Sequence, residues 1–374
     1  QNDTRRRFIL MFKKFCLLLG LTLLAANIFA RDVKVLISED KNNVSLTASA
    51  PFKVKNLDGG KTYKVKKGGT FTIKNSKGQI TCGNLESKKG FVLTLAESGA
   101  NFELNKNKYN GALEILPTKN GVNIIEILDF ENYLLGVLPY EMSYSWPVEA
   151  LKAQAVAART YTLKSVEDKK LGDFDLYSDI RSQMYKGSFT VYDSVKEAVQ
   201  ATKGQVLTYK GNKFYTYYHA NCGGHTDPVP WLKETIKPLS GNTCGYCRNA
   251  KTYNWKATLN KDTVQKFLEK NNIKGTFKKI KIANKFPSGR AKTLTVITNK
   301  TKKEMSCNDF RIGVGSTVMK SCFLTKIDGL KLEGRGYGHG AGMCQEGAKG
   351  MALDGKKYKD ILKRYYPGAE IQKI

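Results

Sequence analysis

The sequence predicts an α+β protein in which a β-rich N-terminal module, residues 31–110, precedes a mixed α+β domain, residues 111–374. Two observations support this fold class. Between residues 32 and 105, apolar and polar residues alternate in short runs separated by Gly, Asn, Asp and Lys, as in strands joined by tight turns. From Glu131 onward the apolar residues recur at helical spacing, and Pro147 opens an alanine-rich stretch, since proline suits the first turn of a helix.

The mixed domain is expected to contain helices and strands in turn. A first helix is predicted over residues 131–137 and should stop before Pro139, which leaves Glu141 in a turn. A long helix is expected to follow at about residues 148–165. Further strands are predicted at residues 111–116, 122–128, 204–209, 214–219, 279–282 and 293–298, and helices at residues 261–270 and 358–364. A glycine-rich segment covers residues 334–355.

The chain is strongly basic. Its 374 residues include 62 Lys and Arg but only 33 Asp and Glu, a formal net charge of +29. With 41% hydrophobic residues it can bury a core, which excludes wholesale disorder and a collagen-like structure. The surplus of positive charge favours a polyanionic partner, namely nucleic acid, an acidic wall polymer or anionic lipid. The alternative is that solvated lysines are spread over the whole surface.

Residues 1–30 are predicted to be a signal peptide with its natural start at Met11. Two lysines follow Met11, residues 16–26 are apolar, and Ala30 gives the segment a small-residue end. The apolar run is shorter than the ~20 residues that a membrane span needs. The alternative is a retained signal anchor. We therefore expect an exported protein of the periplasm, cell wall or extracellular space. No membrane span is expected in the mature chain, and no nucleic-acid partner, since no motif for one is present.

Glu141 is a candidate general acid, because it lies between two stretches of apolar and aromatic residues. A carboxyl group that such neighbours desolvate holds its proton more tightly and can donate it near neutral pH. Lys152 and Arg159 are seven residues apart on the following predicted helix, so they share a face and can present two cations to one substrate. The alternative is a surface glutamate with ordinary helix charges.

Cysteine and histidine residues in the C-terminal half have the spacing of a tetrahedral zinc site. Cys244 and Cys247 form a C-x-x-C pair, and the other candidates precede or follow it. Four of the following five residues are expected to bind the metal: Cys222, His225, Cys244, Cys247 and Cys344. The alternative in an exported protein is a disulfide between Cys222 and Cys244 or Cys247. Cys307 and Cys322 are predicted to form a separate disulfide.

The segment GRGYGHGAGMCQ at residues 334–345 has glycine at nearly every second position. Glycine lets the backbone adopt positive φ and approach a ligand closely. The segment lacks the Lys-Ser/Thr ending of a phosphate-binding loop. His339 within it is therefore expected to meet a substrate, the alternative being a glycine-rich turn with an incidental histidine.

Several motifs, taken in order, resemble those of the SpoIID/LytB family, which comprises stage II sporulation protein D and the amidase enhancers. They are ENYLLGV at residues 131–137, EM at 141–142, WP at 146–147, EALKAQAVAARTY at 149–161, QMYKG at 183–187, HANCGGHT at 219–226, FR at 310–311, GYGHGAGMCQEGA at 336–348 and YYPG at 365–368. The resemblance covers about residues 113–374. Some relatives build a metal site between the long helix and the Gln-x-Tyr motif, but residues 177–182 here contain neither Cys nor His.

The resemblance implies a SpoIID-like catalytic domain that cleaves peptidoglycan glycan strands by a lytic transglycosylase reaction. Glu141 matches the catalytic glutamate of the family. The residues expected to bind substrate are Lys152, Arg159, Gln183, Tyr185, His219, Tyr337, His339 and Gln345. The chemistry requires no cofactor, and the expected metal is a structural zinc. The alternative function is a non-catalytic amidase enhancer or wall-binding module, with a cell-wall amidase as its partner.

Overall fold

The structure, a computed structural model, describes residues 32–374, so the predicted signal peptide lies outside the described residues. This part of the chain contains seven α-helices and 26 strands, which confirms the α+β fold class. None of the helices within residues 32–374 is both long and apolar enough to cross a membrane.

The chain divides into two compact units. The first unit comprises residues 32–144, 162–206 and 372–374, and the second comprises residues 145–161 and 207–371. The boundary that the sequence analysis places at residue 110 stays a prediction. Helix α2, Val148–Asp168, contributes its first part to the second unit and its last part to the first.

The first unit is built mainly from two β-sheets. One has the strand order β13-β1-β12-β11-β8-β3-β4 and the other the order β10-β9-β2-β5-β6-β7. The strands are β1 Asp32–Lys41, β2 Asn43–Ala48, β3 Phe52–Asn56, β4 Thr62–Val65, β5 Gly69–Ser76, β6 Gln79–Cys82, β7 Leu85–Ser87, β8 Phe91–Leu95, β9 Phe102–Leu104, β10 Asn107–Tyr109, β11 Ala112–Pro117, β12 Val122–Asp129 and β13 Leu176–Tyr177.

Alternation along these strands gives each sheet one apolar face, and the two faces pack together. The ring of Phe52 on β3 stacks on Phe71 of β5 at 5.0 Å between centroids. It also meets the edge of Phe102 on β9 at 5.8 Å. Because β3 belongs to one sheet and β5 and β9 to the other, these rings form part of the core between the sheets.

The helices of the first unit are α1, Phe130–Glu141, the end of α2, and α3, Asp193–Ala201. Asp129 caps α1, since its side chain accepts the N–H groups of Glu131 and Asn132. The prediction that this helix stops before Pro139 is wrong. Proline removes only its own N–H, and the Met142 N–H still donates to the Leu138 carbonyl, so the helix continues to Glu141.

The second unit contains small sheets and four further helices. Its strands are β15 Asn212–Lys213, β16 Tyr218–His219, β17 His225–Thr226, β18 Asn242–Thr243, β19 Asn254–Thr258, β20 Phe277–Lys285, β21 Ala291–Thr298, β22 Lys302–Ser306, β23 Leu324–Asp328, β24 Lys331–Arg335 and β25 Met343–Cys344. The helices are α4 Lys261–Lys270, α5 Cys307–Val314, α6 Gln345–Leu353 and α7 Tyr358–Tyr365. Strands β14, Gln205–Tyr209, and β26, Glu370–Lys373, cross the limits of the two units.

One prediction for this region is wrong, and one helix was not predicted. The strand expected over residues 214–219 is reduced to Tyr218 and His219, which pair in parallel with Met343 and Cys344. The glycine-rich segment at residues 334–355 contains helix α6, which was not predicted. Two glycines within α6 hide its pattern from the sequence, but the Cys344 side chain accepts the Gly347 N–H and caps its start.

Helices α4 and α5 pack on the sheet β20-β21-β22 to form a core. The Phe267 ring on α4 meets the edge of Phe310 on α5 at 5.5 Å between centroids. The disulfide between Cys307 and Cys322 is present, which confirms that prediction. A side chain at Gly313 would place its Cβ 2.1 Å from the Phe267 ring, so α5 needs glycine there.

We expect Gly313→Ala to destabilise the second unit. Alanine favours a helix by about 1 kcal/mol over glycine, but overpacking against an aromatic ring costs about 1–3 kcal/mol. We therefore expect a net decrease in the free energy of unfolding. Thermal and urea unfolding measure the change, with Ile312→Ala, at a half-exposed neighbouring position, as the control. A Gly313→Ala protein as stable as the wild type would contradict this packing.

Candidate functional site

Glu141 is the last residue of α1 and is half-buried. Its Oε1 atom accepts a hydrogen bond from the Met184 N–H at 2.7 Å. A backbone donor cannot rotate away as a side chain can, so this bond fixes one oxygen of the carboxyl group. The sequence analysis places Glu141 in a turn, whereas the structure places it at the end of a helix whose start is capped.

Gln183 and Tyr185, on either side of Met184, are buried in the first unit. The Gln183 Oε1 atom accepts hydrogen bonds from Tyr133 Oη at 3.2 Å and from Thr162 Oγ1 at 2.7 Å. These contacts hold the segment that donates to Glu141. The polar contacts described for Gln183 are internal to the protein, and its predicted role in binding substrate stays a prediction.

Glu126 on β12 is a buried acid that the sequence analysis missed. Its side chain is fully buried, its Oε2 atom accepts the Tyr185 hydroxyl at 2.6 Å, and its Oε1 atom accepts the Gly111 N–H at 2.9 Å. Burial raises the pKa of Glu126 to about 7, although the bonds from Tyr185 and Gly111 act in the opposite direction. The signal in the sequence was one glutamate within an otherwise apolar strand, VNIIEILD.

Two exposed tyrosines, Tyr140 and Tyr144, stand on either side of Glu141 in the sequence. Tyr140 is partly exposed, and the Lys186 Nζ atom lies 5.3 Å from the centre of its ring. The Tyr144 and Tyr192 rings stack at 3.8 Å between centroids with a 6° angle between their planes. The outward faces of these rings are available to the apolar face of a ligand.

His219 and His339 lie together in the second unit, with ring centroids 5.2 Å apart. The His339 Nε2 atom contacts the Tyr218 carbonyl at 2.9 Å and its Nδ1 atom accepts the Ala341 N–H at 3.1 Å. These partners fix the neutral form with the proton on Nε2. Both nitrogens of His339 are therefore bonded to backbone, and its predicted contact with substrate stays a prediction.

His219 has a different hydrogen-bonding pattern from His339. The His219 Nδ1 atom donates to the Ala341 carbonyl at 3.0 Å, while its buried Nε2 atom has no partner among residues 32–374. Burial lowers the pKa of His219 well below its usual range, and the neighbouring His339 lowers it further. Burial also lowers the pKa of His339, with the charge of Arg311 as the second cause. Both rings are therefore neutral near pH 7.

An aromatic surface surrounds His339, and the sequence analysis did not find it. The Trp231 ring lies 5.4 Å from the His339 ring and 5.2 Å from that of Tyr217, and 47% of its surface is exposed. Tyr217 in turn contacts Tyr215 and Tyr161, at 5.9 and 6.0 Å between centroids. We call these residues the aromatic surface: Tyr161, Tyr215, Tyr217 and Trp231.

The predicted cations of α2 differ in exposure. Lys152 is partly buried and forms an ion pair with Glu149 at 2.9 Å, whereas Arg159 is fully buried. The predicted helix is confirmed, with the two residues two turns apart. Gln345 is buried and lies 3.5 Å from Gln154 of α2, between its Nε2 and the Gln154 Oε1.

Tyr337 is partly exposed and is held through its backbone. Its N–H and carbonyl exchange hydrogen bonds with Asn221 at 2.7 and 2.9 Å. The side chain lies beside Lys320, whose Nζ atom is 5.9 Å from the ring centre. Its predicted contact with substrate stays a prediction.

The structure brings four of the five candidate metal ligands together. The sulfur atoms of Cys222, Cys244, Cys247 and Cys344 all lie within 4.8 Å of one another, and all four residues are buried. His225 is not part of the cluster, since its ring is partly exposed and its Nδ1 atom lies 3.8 Å from Asp227 Oδ1. None of the four cysteines is in a disulfide in the described structure.

Comparisons with known proteins agree with the motifs. A family model described as Stage II sporulation protein matches residues 118–209, and one for a domain of unknown function matches residues 234–342. An uncharacterized protein of Brachyspira hyodysenteriae is 38% identical over 289 residues, covering 76% of this chain and 77% of that protein. The amidase enhancer of Bacillus subtilis is 30% identical over 362 residues, and stage II sporulation protein D of the same organism is 29% identical over 274 residues.

The chain belongs to the SpoIID/LytB family. The matched part covers 81% of this chain and half the length of the amidase enhancer, and 66% of this chain and 75% of stage II sporulation protein D. Membership of the SpoIID/LytB family supports a cell-wall-related role in an exported setting.

We expect the stability of this SpoIID/LytB protein to fall as pH rises, because of Glu126. The pKa of this carboxyl group is about 7 in the folded protein and about 4.3 in an unfolded chain, so the folded state holds the proton more tightly. Its contribution is complete below about pH 4 and is lost as pH rises through about 7, a change of about 4 kcal/mol. Glu126→Gln should flatten this part of the pH profile in urea unfolding.

The matched control is Glu97→Gln, which changes an exposed glutamate of the same unit. It should keep the wild-type pH profile. If the Glu126→Gln protein loses as much stability as the wild type between pH 4 and pH 8, Glu126 is not the group responsible.

Proposed function

We propose that the protein cleaves the glycan strands of peptidoglycan as a lytic transglycosylase, with Glu141 as its general acid and base. The observation that carries the proposal is the fixed carboxyl group of Glu141, held by the Met184 N–H. In the sequence it stands between two exposed tyrosines, Tyr140 and Tyr144. Family membership supports the same cell-wall setting.

The reaction needs one carboxyl group that first donates and then accepts a proton. Protonated Glu141 gives its proton to the glycosidic oxygen between N-acetylmuramic acid and N-acetylglucosamine, and that C–O bond breaks. An oxocarbenium-like centre forms at the muramyl C1. The Glu141 carboxylate then takes the proton of the C6 hydroxyl as this oxygen bonds to C1, which closes a 1,6-anhydro ring and restores the acid. No water is activated, so the second carboxylate of ordinary glycosidases is not needed.

The residues of the second unit are assigned to substrate binding in this proposal. Lys152 would bind the lactyl carboxylate or acetamido groups, whereas Arg159 is fully buried and would not reach the substrate directly. The aromatic surface supports a saccharide ligand, because exposed aromatic rings pack on the apolar faces of sugars. The net charge of +29 suits the anionic polymers of a cell wall. We propose that the preferred substrate is glycan strands without stem peptides.

A second candidate function is the enhancement of a cell-wall amidase without catalysis. It is favoured by the 30% identity to a protein named amidase enhancer. In that case the protein would bind glycan and a partner amidase, and the carboxyl group at Glu141 would be dispensable.

We expect Glu141→Gln to lower the release of anhydromuramyl products from purified glycan strands by at least about a hundredfold, the usual contribution of general acid–base catalysis. Mass spectrometry of the products measures it, on denuded and on intact peptidoglycan. The amide keeps an oxygen for the Met184 N–H, so the fold should be retained. Glu97→Gln, at an exposed site of the same unit, is the control and should keep full activity.

Two outcomes would decide against this mechanism. Unchanged product formation by Glu141→Gln would remove this residue from the chemistry. No products from the wild type, together with faster cleavage by an added amidase that Glu141→Gln supports equally well, would favour the enhancer function.

Trp231→Ala is expected to weaken binding to purified glycan strands about tenfold, since an aromatic contact contributes about 1.4 kcal/mol. A sedimentation assay with insoluble glycan measures the bound fraction. Leu232→Ala removes a neighbouring exposed apolar side chain and should leave binding unchanged. Equal binding by the two variants would exclude the aromatic surface as a saccharide contact.

A further inference from the structure

Four cysteine thiols from three separate segments meet inside the second unit. Cys222 follows β16, Cys244 and Cys247 follow β18, and Cys344 ends β25 and caps α6. At most 1% of the surface of any of these residues is exposed. Such a convergence of nucleophilic groups in a core needs an explanation beyond packing, because a core can be filled with ordinary apolar side chains.

We propose that Cys222, Cys244, Cys247 and Cys344 bind one zinc ion in a closed, structural site. A tetrahedron with Zn–S bonds of about 2.3 Å has sulfur atoms about 3.8 Å apart. The four sulfurs lie within 4.8 Å of one another, and those of Cys222 and Cys247 are 3.5 Å apart. Complete burial leaves no open coordination position for water or substrate, which is the arrangement of structural rather than catalytic zinc.

The groups around the sulfurs suit thiolates. The Cys222 N–H and the Gly347 N–H both point to the Cys344 sulfur, at 3.2 and 3.3 Å. The Tyr365 hydroxyl lies 3.2 Å from the Cys244 sulfur. Donors of this kind orient metal-bound ligands and stabilise their negative charge. A side chain at Gly347 would place its Cβ 2.8 Å from the Cys244 sulfur and 1.9 Å from the Tyr365 hydroxyl oxygen, so this position requires glycine.

The same contacts favour a metal over two disulfides. Two N–H donors on one sulfur match a thiolate, which is a strong acceptor, better than a disulfide sulfur. The chain also contains a disulfide, Cys307–Cys322, at a separate place in the second unit. The second unit thus contains two kinds of cysteine. One kind is the disulfide-bonded pair, and the other is the group of four whose sulfur atoms are not bonded to each other and have hydrogen-bond donors nearby.

The zinc ion would hold the segments that carry His219 and Gln345. His219 pairs with Cys344 in the parallel bridge between β16 and β25, and the Glu346 N–H donates to the Ala220 carbonyl. Cys222 and Cys344 therefore lie just beyond His219 and just before Gln345 in the chain. One zinc ion bound to both Cys222 and Cys344 would fix the positions of His219 and Gln345, which are predicted to bind substrate.

Metal analysis of the purified full chain tests the proposal. We expect one zinc per chain by plasma mass spectrometry in the wild type and a loss of most of it in Cys247→Ser. Cys82→Ser changes a buried, unpaired cysteine of the first unit and should keep one zinc. Glu141→Gln should also keep one zinc, so the metal site and the proposed catalysis are tested separately.

Two measurements on the wild-type chain serve if Cys247→Ser fails to fold. Replacement of zinc by Co²⁺ should give the thiolate-to-metal absorption and the intense visible bands of a tetrahedral sulfur site. Removal of the metal by a chelator should lower the melting temperature and expose four thiols to alkylation. Chain isolated without metal, a mass lower by four further hydrogens from two extra disulfides, or iron in place of zinc would each overturn the proposal.

Discussion

The hydrogen bond from the Met184 N–H to Glu141 is the contact on which the candidate site depends. It joins the end of a helix to a short segment whose neighbouring side chains, Gln183 and Tyr185, are buried and bonded. Tyr185 is held in turn by Glu126, an acid inside the sheet. A carboxyl group positioned in this way cannot drift without disturbing buried polar groups, which are costly to leave unpaired.

The second unit positions its polar side chains through backbone contacts. His339 bonds to the Tyr218 carbonyl and to the Ala341 N–H, and His219 bonds to the Ala341 carbonyl. Both rings remain neutral. Arg290 plays a comparable part, since its side chain donates to Asp227 at 2.9 Å and to the carbonyl of Cys222. These bonds make the loops rigid where glycine alone would leave them free.

Some of this architecture could be predicted and some could not. Helix α4 was predicted to the residue, because its apolar positions follow a clear helical period. Pro139 misled the prediction of α1, since the loss of one N–H near a helix end is tolerated. The motif residues Glu141 and Cys344 could be found from spacing. The contacts of Glu126 and Trp231 could not, because they depend on residues far away in the sequence.

The hydrogen bonds of His339 have a consequence for acid conditions. Its Nδ1 atom accepts the Ala341 N–H, so a second proton on the ring would set two N–H groups against each other. The hydrogen bond from Ala341 and burial therefore both oppose the charged form of this ring. Charging it would break the hydrogen bond that closes the turn from His339 to Ala341, so the neutral imidazole serves as a fixed part of this loop.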